Sequence, residues 1–330
     1  MSNGRPAAAG HYVAAGRYVG ITIILVMVIA AVAAPILAPN DPDQRFADLL
    51  YAPPTRVHVW DDGPRLPFIY RQQLVSRIER SFADDTRERI TFPGDPKHGA
   101  PVLLLGADSY GRDIFSRLLY GARVSLALAV LSALGAVILG ALIGGVAGYV
   151  GGRIDALLSR STEFLLVLPM MYVVLVLRAV LPVVLGATAV FVLLTAIFIV
   201  LGWPIVARGT RALVIVERER EYIAAAHAIG MSPARVLVRH LLPSTASYLG
   251  AQFSLLVPAF LLAEATLSYV GFGFPPDTAT WGTMLEDAAN ILVVGDAPWL
   301  LAPAGAIFFA VLAINLVVQG SGRPPVQLAG

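Results

Sequence analysis

Cysteine is absent from this 330-residue chain, and charged residues make up only 14% of it. The missing cysteine excludes disulfides, thiolate metal sites and cysteine nucleophiles. Lysine is almost missing as well, since Lys97 is the single lysine among 24 basic residues. The five histidines form no metal-spaced cluster, and no glycine-rich loop ends in the Gly-Lys-Ser/Thr pattern of a nucleotide site. We therefore expect this chain to bind neither a metal nor a nucleotide cofactor.

Apolar residues are abundant instead, at 57% of the chain, against roughly 45–50% in soluble domains. A membrane-spanning helix needs about 20 apolar residues, and several uncharged runs are at least that long. The sequence predicts a polytopic membrane protein with six spans, at 18–38, 121–150, 162–184, 187–207, 246–270 and 298–319. The first run also resembles a signal peptide, but its length favours a retained span.

Arginines in the short loops predict the orientation, because positive residues accumulate on the cytoplasmic side. Both tails and the 2–3 and 4–5 loops carry arginine, whereas the 5–6 loop, residues 271–297, has no lysine or arginine. Both termini are therefore predicted to be cytoplasmic. Residues 39–105 then form a small external insert, either a solvated decoration or a docking surface for an external partner. Within it, Leu74, Ile78 and Phe82 are spaced as a weak helical stripe.

Glycines recur every four residues in the second span, at Gly140, Gly144 and Gly148. Small residues at this spacing let helix backbones approach closely in lipid. We expect these glycines to serve helix packing.

A polar stretch between the fourth and fifth spans has the pattern of helix–turn–helix. Residues 217–229 have good helix composition, and Gly230 fits the left-handed position after a helix end. Ser232 and Pro233 fit the N-cap and first turn of a second helix, which is predicted to stop at Pro243.

The second of these helices is predicted to be two-sided. Val236, Leu237 and Leu241 form an apolar face, and Arg235 and Arg239 form a charged one. The pattern suits docking of a soluble partner that moves the flanking spans, or an amphipathic helix resting on lipid headgroups. A DNA-reading unit is disfavoured, because the stretch is tethered between two spans and has no third helix.

The stretch EYIAAAHAIGMSPARVLVRHLLPS resembles the EAA loop of ABC-importer permeases, in which Glu-Ala-Ala is followed by a glycine and then by a Leu-Pro pair. Ala224 stands where the family has glutamate, and Glu221 lies one turn earlier. His240 stands where many families have isoleucine. The resemblance implies an ATPase-coupling loop whose residues are Glu221, Ala224, Ala225, Ala226, Gly230, His240, Leu242 and Pro243.

Two further stretches narrow the resemblance to the C-type subunit of dipeptide/oligopeptide permeases. They are GADSYGRDIFSRLLYGARVSL, from Gly106, and AEATLSYVGFGFPPDTATWGTML, from Ala263. The resemblance implies an external gate or scaffold that contains Asp108, Gly111, Arg112, Asp113, Glu264, Pro275, Pro276 and Trp281. The C-terminal tail departs from the family's usual Gly-Asp-Gly-Leu-Arg-Asp ending.

The resemblance also implies a fold and a domain plan. The fold is an all-α membrane protein with six transmembrane helices, the type I ABC importer (MetI-like) permease fold, with the external insert between helices 1 and 2. Residues 1–38 form the cytoplasmic tail and first span, 39–105 the insert, 106–320 the permease core with its coupling loop at 217–243, and 321–330 a cytoplasmic tail.

The implied function is half of a translocation pore for di- and oligopeptides in a bacterial inner membrane. The implied partners are a B-type homologous permease, one or two ABC ATPase subunits that bind ATP and Mg, an external substrate-binding protein and the lipid bilayer, with no nucleic acid. The chain itself is not an enzyme. The same fold could import nickel chelates, glycosides or antibiotic peptides, and an ATP-independent transporter or a non-transporting scaffold are rival functions.

One arginine lies deep in a predicted span. Arg178 could reach outward to the membrane surface, pair with Glu264, or line the substrate path. These three roles stay open at this level.

Overall fold

A computed structural model describes residues 6–56, 58–60, 64–76, 81–89, 101–169, 172–176 and 185–319. Five helical segments in these ranges are long and apolar enough to cross a membrane: Ala15–Val32, Ile114–Val150, Ala187–Glu217, Ala246–Tyr269 and Pro298–Gln319. Five of the six predicted spans are thereby found. The predicted third span, 162–184, is only partly described, and both Arg178 and the tail at 321–330 lie outside the described residues.

The first span lies within helix α1 (Pro6–Val32), and the short helix α2 (Ala34–Leu37) follows it. A β-sheet of β1 (His58–Trp60), β2 (Pro64–Ser76) and β3 (Ser81–Arg89) follows. The long helix α3 (Ile114–Val150) precedes α4 (Gly152–Val167), α5 (172–176) and α6 (Ala187–Glu217).

Short helices fill the next segment: α7 (Glu221–Ala228), α8 (Pro233–Val236), a π-helical turn (Leu237–Leu241) and α9 (Leu242–Ser244). The fifth predicted span is α10 (Ala246–Tyr269). The remaining elements are α11 (Trp281–Leu285), α12 (Ile291–Asp296), α13 (Ala302–Gln319) and two 3₁₀ turns, Asp287–Ala289 and Pro298–Leu301.

Two predicted spans are too short, because polar residues extend both helices beyond the apolar runs. Helix α3 begins at Ile114 rather than residue 121, and α6 continues to Glu217 rather than ending at residue 207. At 1.5 Å per residue, a 37-residue helix is about 55 Å long, well beyond a bilayer core of about 30 Å. Both helices therefore project out of the apolar layer.

The insert contains a sheet, so the all-α prediction is wrong for this segment, and so is the helical stripe. Strands β1, β2 and β3 pair antiparallel in that order, and Leu74 lies opposite Phe82 across the β2–β3 hairpin. An even spacing also places residues on one face of a strand, so a spacing of four does not by itself distinguish helix from strand. The predicted position of Ile78 lies outside the described residues.

The chain divides into two compact units, one of Met1–Leu126 with Ala265–Gly330 and the other of Ala127–Glu264. In the first, α1 approaches α13 so closely that a Cβ on Gly20 would lie 2.6 Å from the carbonyl oxygen of Ala313. The short helices that follow α10 pack together and against the start of α3. Their buried cluster contains Ile114, Met284, Val293, Ala297 and Leu300.

In the second unit, the regularly spaced glycines of α3 face α6. A Cβ on Gly140 or Gly148 would lie 2.7 Å from a carbonyl oxygen of α6, and one on Gly144 would overlap the carbonyl oxygen of Ala207. The packing role predicted for these glycines is confirmed. Only hydrogen fits at these positions, so the backbones of α3 and α6 come into direct contact.

Candidate functional site

The polar stretch after α6 folds into two short helices joined by a glycine turn. The first is α7, which begins at Glu221 rather than at Glu217 as predicted, because residues up to Glu217 belong to α6. Arg218 lies in the break between α6 and α7. Its guanidinium donates to the carbonyl oxygens of Gly148 (2.8 Å) and Tyr149 (3.3 Å), the last residues of α3. These carbonyls have no partner within their own helix, so Arg218 satisfies them.

Gly230 closes α7 as the sequence predicts. Its φ is 78°, the left-handed region that glycine enters without penalty. The N–H of Met231 donates to the carbonyl of Ala226 (3.1 Å), and that of Gly230 donates to the carbonyl of His227 (2.9 Å). This pair of bonds is the Schellman arrangement, which fixes the direction in which the chain leaves the helix.

The second helix starts at the predicted residues but does not stop at the predicted proline. Ser232 is the N-cap and Pro233 the first helical residue, although the cap is made by the backbone carbonyl and not by the serine hydroxyl. A π-helical turn follows, with the N–H of Leu242 bonded to the carbonyl of Leu237. Proline has no N–H and crowds the preceding turn. The wider π turn accommodates Pro243, and the chain continues towards α10.

A small apolar core holds the two helices against the end of α6. Its buried members are Val214, Ile223, Ala226, Val236, Leu237 and Leu241. The predicted apolar face of Val236, Leu237 and Leu241 is therefore confirmed. Arg235 and Arg239 are exposed, as the two-sided pattern requires. We call α7, α8 and the π turn, residues 221–241, the surface helical pair.

The outer face of the surface helical pair mixes apolar and polar groups. Ile229 is 79% exposed and Val238 is 61% exposed. Of the residues assigned by resemblance, Glu221, Ala224, Ala225 and Pro243 are exposed, Ala226 is buried and Leu242 is half-buried. Large apolar side chains exposed on a polar loop, among polar groups, are a feature of protein-binding surfaces.

Four aromatic and imidazole rings lie beside this surface. Tyr149 and His227 stack with a 3.2 Å contact between the phenolic oxygen and Nε2. The hydroxyl of Tyr222 donates to Glu217 Oε1 (2.7 Å), and this bond raises the pKa of Tyr222. His240 is half-buried beside Tyr222, and its buried Nε2 has no hydrogen-bond partner among the described residues.

A second cluster, the Asp108 cluster, occupies the segment before α3. Asp108 accepts from the backbone N–H groups of Tyr110 and Arg112 (2.9 Å each) and from Arg112 Nε (2.6 Å). Gly111 has φ 72°, and a Cβ there would overlap the carbonyl oxygen of Phe46. The Gly-Arg-Asp motif is therefore a tight turn pressed against the chain that follows α2.

Two arginines tie this turn to distant loops. Arg112 and Arg117 both donate to the carbonyl oxygen of Pro276, at 3.0 and 3.4 Å, and Arg117 also donates to the carbonyl of Pro42 at 3.2 Å. Arg117 is almost fully buried, 3.8 Å from Asp108. Three segments that are far apart in sequence are thus joined through two guanidinium groups.

Asp113 directly precedes α3 and is fully buried. Its carboxylate accepts from the N–H groups of Phe115 and Ser116 as an N-cap, from the hydroxyl of Ser116 (2.5 Å) and from Asn40 Nδ2 (3.1 Å). Burial raises the pKa of Asp113, while these hydrogen bonds oppose the rise. Asn40 was missed in the sequence, although it is the polar residue that ends the first apolar run.

The remaining predicted gate residues, Trp281, Pro275 and Glu264, are all buried or half-buried. Trp281 is buried and donates from Nε1 to the carbonyl of Leu118 (3.1 Å). Pro275 is half-buried and neighbours Pro276, the acceptor for both arginines. Glu264 is fully buried near the end of α10, in the other compact unit. Its proposed partner Arg178 lies outside the described residues.

An ion pair that no motif predicts links α4 and α6. Arg211 binds Asp155 with both arms of its guanidinium, Nε to Oδ1 and the terminal nitrogen to Oδ2 at 2.6 Å. The hydrogen bond from Arg211 lowers the pKa of Asp155. These two residues are 56 positions apart, so a sequence pattern gives no signal for the pair.

Comparison with known proteins now bears on these features. Residues 136–323 match the family described as binding-protein-dependent transport system inner membrane component. Residues 17–54 match the N-terminal transmembrane domain of oligopeptide transport permease C. The first match covers the surface helical pair together with the helices α6, α10 and α13.

Several relatives are similar over about two thirds of the chain. The dipeptide transport system permease protein DppC of Bacillus subtilis is 38% identical over 65% of this chain and 65% of its own length. The oligopeptide transport system permease protein OppC of the same species is 34% identical over 65% of this chain and 68% of its own. A Brucella ovis protein described as a peptide permease is 38% identical over 65% of this chain and 70% of its own.

Several helices long and apolar enough to cross a bilayer, with a folded polar loop between two of them, indicate a polytopic membrane protein. The chain belongs to the family of binding-protein-dependent transport system inner membrane components. It is therefore a multi-pass inner-membrane permease subunit of an ABC importer. The resemblance to the dipeptide/oligopeptide permeases, inferred from three motifs, is confirmed.

Proposed function

We propose that this chain is the C-type permease of an ABC importer of di- and oligopeptides, and that the surface helical pair is where an ATPase subunit docks. The observation that carries the proposal is the rigid mounting of that pair. A Schellman turn at Gly230 and a buried core fix both helices to the end of α6, while Ile229 and Val238 remain exposed. A partner that binds the exposed face can therefore transmit its own motion to α6.

The chain would supply no catalytic group to ATP hydrolysis. One or two ABC ATPase subunits would bind ATP and Mg and close on each other. The surface helical pair would follow that closure, and the long helices attached to it would switch the pore between its outward- and inward-facing states. A B-type homologous permease would form the other half of the pore, and an external binding protein would deliver the peptide.

The orientation proposed from the arginine distribution suits this mechanism. With both termini and the surface helical pair in the cytoplasm, the ATPases meet the loop directly. The sheet of the insert and the Asp108 cluster then lie on the external side. There the buried arginine contacts to Pro42 and Pro276 would hold the outer mouth together as a scaffold.

The similar permeases are described as peptide, dipeptide or oligopeptide permeases, which favours peptide cargo over nickel chelates, glycosides or antibiotic peptides. We propose Arg178 as a residue that lines the path of the substrate through the membrane. A positive group there would suit the carboxylate of a peptide C-terminus.

Affinity purification from the native membrane tests the coupling proposal. We expect the tagged full-length chain, extracted in a mild detergent, to bring with it an ABC ATPase, a second six-helix permease and an external binding protein, all identified by mass spectrometry. Recovery of this chain alone, from a preparation that keeps other ABC complexes intact, would instead favour an ATP-independent transporter or a scaffold.

A matched pair of variants locates the contact. Ile229 and Ile291 are exposed to similar extents, 79% and 83%, but Ile229 lies on the surface helical pair and Ile291 on α12. Ile229→Glu is expected to abolish ATPase recovery, because a buried interface would have to accept an unpaired charge. Ile291→Glu is expected to leave recovery unchanged. Equal recovery with both variants would contradict docking at this surface.

A further inference from the structure

A cavity of about 270 Å³ lies between α3, α4 and α6 in the second compact unit. Its apolar wall includes Ile143, Ala147 and Leu158, and its polar wall includes Ser159, Thr162 and Glu163 from α4 and Arg208 from α6. The transport mechanism proposed above assigns it no role. Its size and mixed lining are those of a small-ligand site.

The charges around the cavity are balanced but only partly paired. Arg211 is engaged by Asp155, so this pair contributes no net charge. Glu163 and Arg208 remain, one negative and one positive. In the part of the chain that the structure describes, neither makes a hydrogen bond or an ion pair. Both are exposed at the cavity lining, and the charge of Glu163 also acts on Arg211. Two opposite charges therefore line one cavity without pairing with each other.

This arrangement selects against a ligand with a single charge. An anion beside Arg208 would be repelled by Glu163, and a cation beside Glu163 would be repelled by Arg208. A zwitterion that separates its charges satisfies both. The hydroxyls of Ser159 and Thr162 already donate to Asp155 and to the carbonyl of Leu158. Their oxygens can therefore still accept hydrogen bonds, which suits a primary ammonium rather than an oxyanion.

The outer surface of α4 indicates the source of such a ligand. Ile154, Leu157, Phe164 and Val167 are all exposed and recur at helical spacing. Arg153 and Arg160 are exposed in the same stripe, so the outer side of α4 combines apolar side chains with arginines. That combination is typical of a helix at a membrane interface, where the apolar groups enter the acyl region and the guanidinium groups stay among the headgroups. The other side of α4, with Ser159 and Thr162, borders the cavity. The cavity is therefore placed at the depth of lipid headgroups.

We infer that this cavity binds the headgroup of a zwitterionic aminophospholipid, phosphatidylethanolamine, with its phosphate on Arg208 and its ammonium on Glu163, Ser159 and Thr162. Basic pockets between transmembrane helices are known to hold anionic headgroups. The glutamate in this one shifts the preference to a lipid that also carries an N–H-bearing cation.

Native mass spectrometry of the full-length chain in detergent tests the inference. The probes are phosphatidylethanolamine, phosphatidylglycerol and phosphatidylcholine with identical acyl chains. We expect phosphatidylethanolamine to be retained about tenfold better than the other two, the factor expected for one charge-assisted hydrogen bond. Phosphatidylcholine is the sharper comparison, because its quaternary ammonium cannot donate a hydrogen bond. Equal retention of the three lipids would overturn the inference.

Three variants assign the two charges. Glu163→Gln is expected to lose the preference and to retain more phosphatidylglycerol, because the site becomes net positive. Arg208→Gln is expected to weaken retention of every lipid. Arg160→Gln is the control, since Arg160 is an exposed arginine of α4 outside the cavity lining. An unchanged preference in both cavity variants would refute the site.

A competition arm separates the lipid from the other available zwitterion, a peptide. Dialanine carries a primary ammonium and a carboxylate, and it is added in excess to the lipid-loaded chain. Lipid retention is expected to be unaffected. Displacement by dialanine would overturn the lipid assignment and make the cavity a peptide site. Transport is not measured in either arm, so failure here leaves the coupling proposal to its own test.

Discussion

Replacing Gly230 probes the surface helical pair with a minimal change. This residue has φ 78°, and no atom lies within 4 Å of the position that a Cβ would take. A larger side chain therefore meets open space, and its cost comes from the backbone alone. The left-handed conformation costs a residue with a Cβ roughly 1–2 kcal/mol, and a β-branched residue is especially disfavoured.

That cost is small for a whole protein but large for one turn. A change of one or two kcal/mol alters a two-state ratio by about 5- to 30-fold. In Gly230→Val the Schellman bonds to Ala226 and His227 would therefore be broken for much of the time. The second helix would then leave α7 in several directions. The exposed face would no longer present one shape to an ATPase.

The assay is recovery of the ATPase with the tagged chain, at equal amounts of chain in the membrane. We expect Gly230→Val to lose most of the recovery and Gly230→Asn to keep it, because asparagine tolerates the left-handed region. Gly152→Val is the matched control, since Gly152 also has positive φ and open space around it but lies outside the surface helical pair. If Gly230→Val retains the ATPase as well as Gly230→Asn does, the turn does not set the docking surface and the reasoning fails.

The other predictions concern stability, measured as the unfolding temperature in detergent. Gly144→Ala is expected to destabilise the contact of α3 with α6 by about 1–3 kcal/mol through overpacking. Gly305→Ala, in open space within α13, should instead stabilise slightly, because alanine favours helix by about 1 kcal/mol over glycine; equal effects would contradict the close approach. Asn40→Ala is expected to cost about 1–3 kcal/mol, because a buried carboxylate and a carbonyl each lose a donor; an unchanged unfolding temperature would refute this. The pKa of Asp155 is lowered from 3.8, so the pair with Arg211 adds stability above about pH 4 and loses it as the pH falls through the lowered pKa; Asp155→Asn should remove that part of the acid sensitivity, and an identical pH profile would argue against it.

The membrane part of the fold could be predicted because one strong physical signal dominates it. About 20 uncharged residues are needed to cross a bilayer, and five of six predicted spans correspond to described helices. The ends were less accurate. Helix α6 continues from residue 207 to Glu217 through arginines that favour helix as well as any apolar residue does. Hydropathy indicates where the membrane-embedded part of a helix ends, whereas the helix itself can continue beyond that point.

The turn residues of the surface helical pair were equally informative, because glycine and proline directly determine which backbone conformations are available. Gly230 and Pro233 have the predicted roles. Pro243 does not end the helix as predicted. The π turn before it provides the wider backbone spacing that a proline requires, so the helical chain continues through Pro243. The contacts of Asn40 and of the Asp155–Arg211 pair could not be predicted, because they join residues that only the three-dimensional packing brings together.

The departure at Ala224 can now be understood from exposure. Ala226 is buried in the apolar core, so the third position of the family's triplet is fixed by packing. Ala224 is exposed, so an alanine there in place of glutamate leaves the fold of the loop intact and changes only what a partner meets. Glu221 is also exposed and lies three residues earlier on the same face of α7. A partner that recognises a carboxylate on this helix must therefore meet it about 4.5 Å nearer the helix N-terminus.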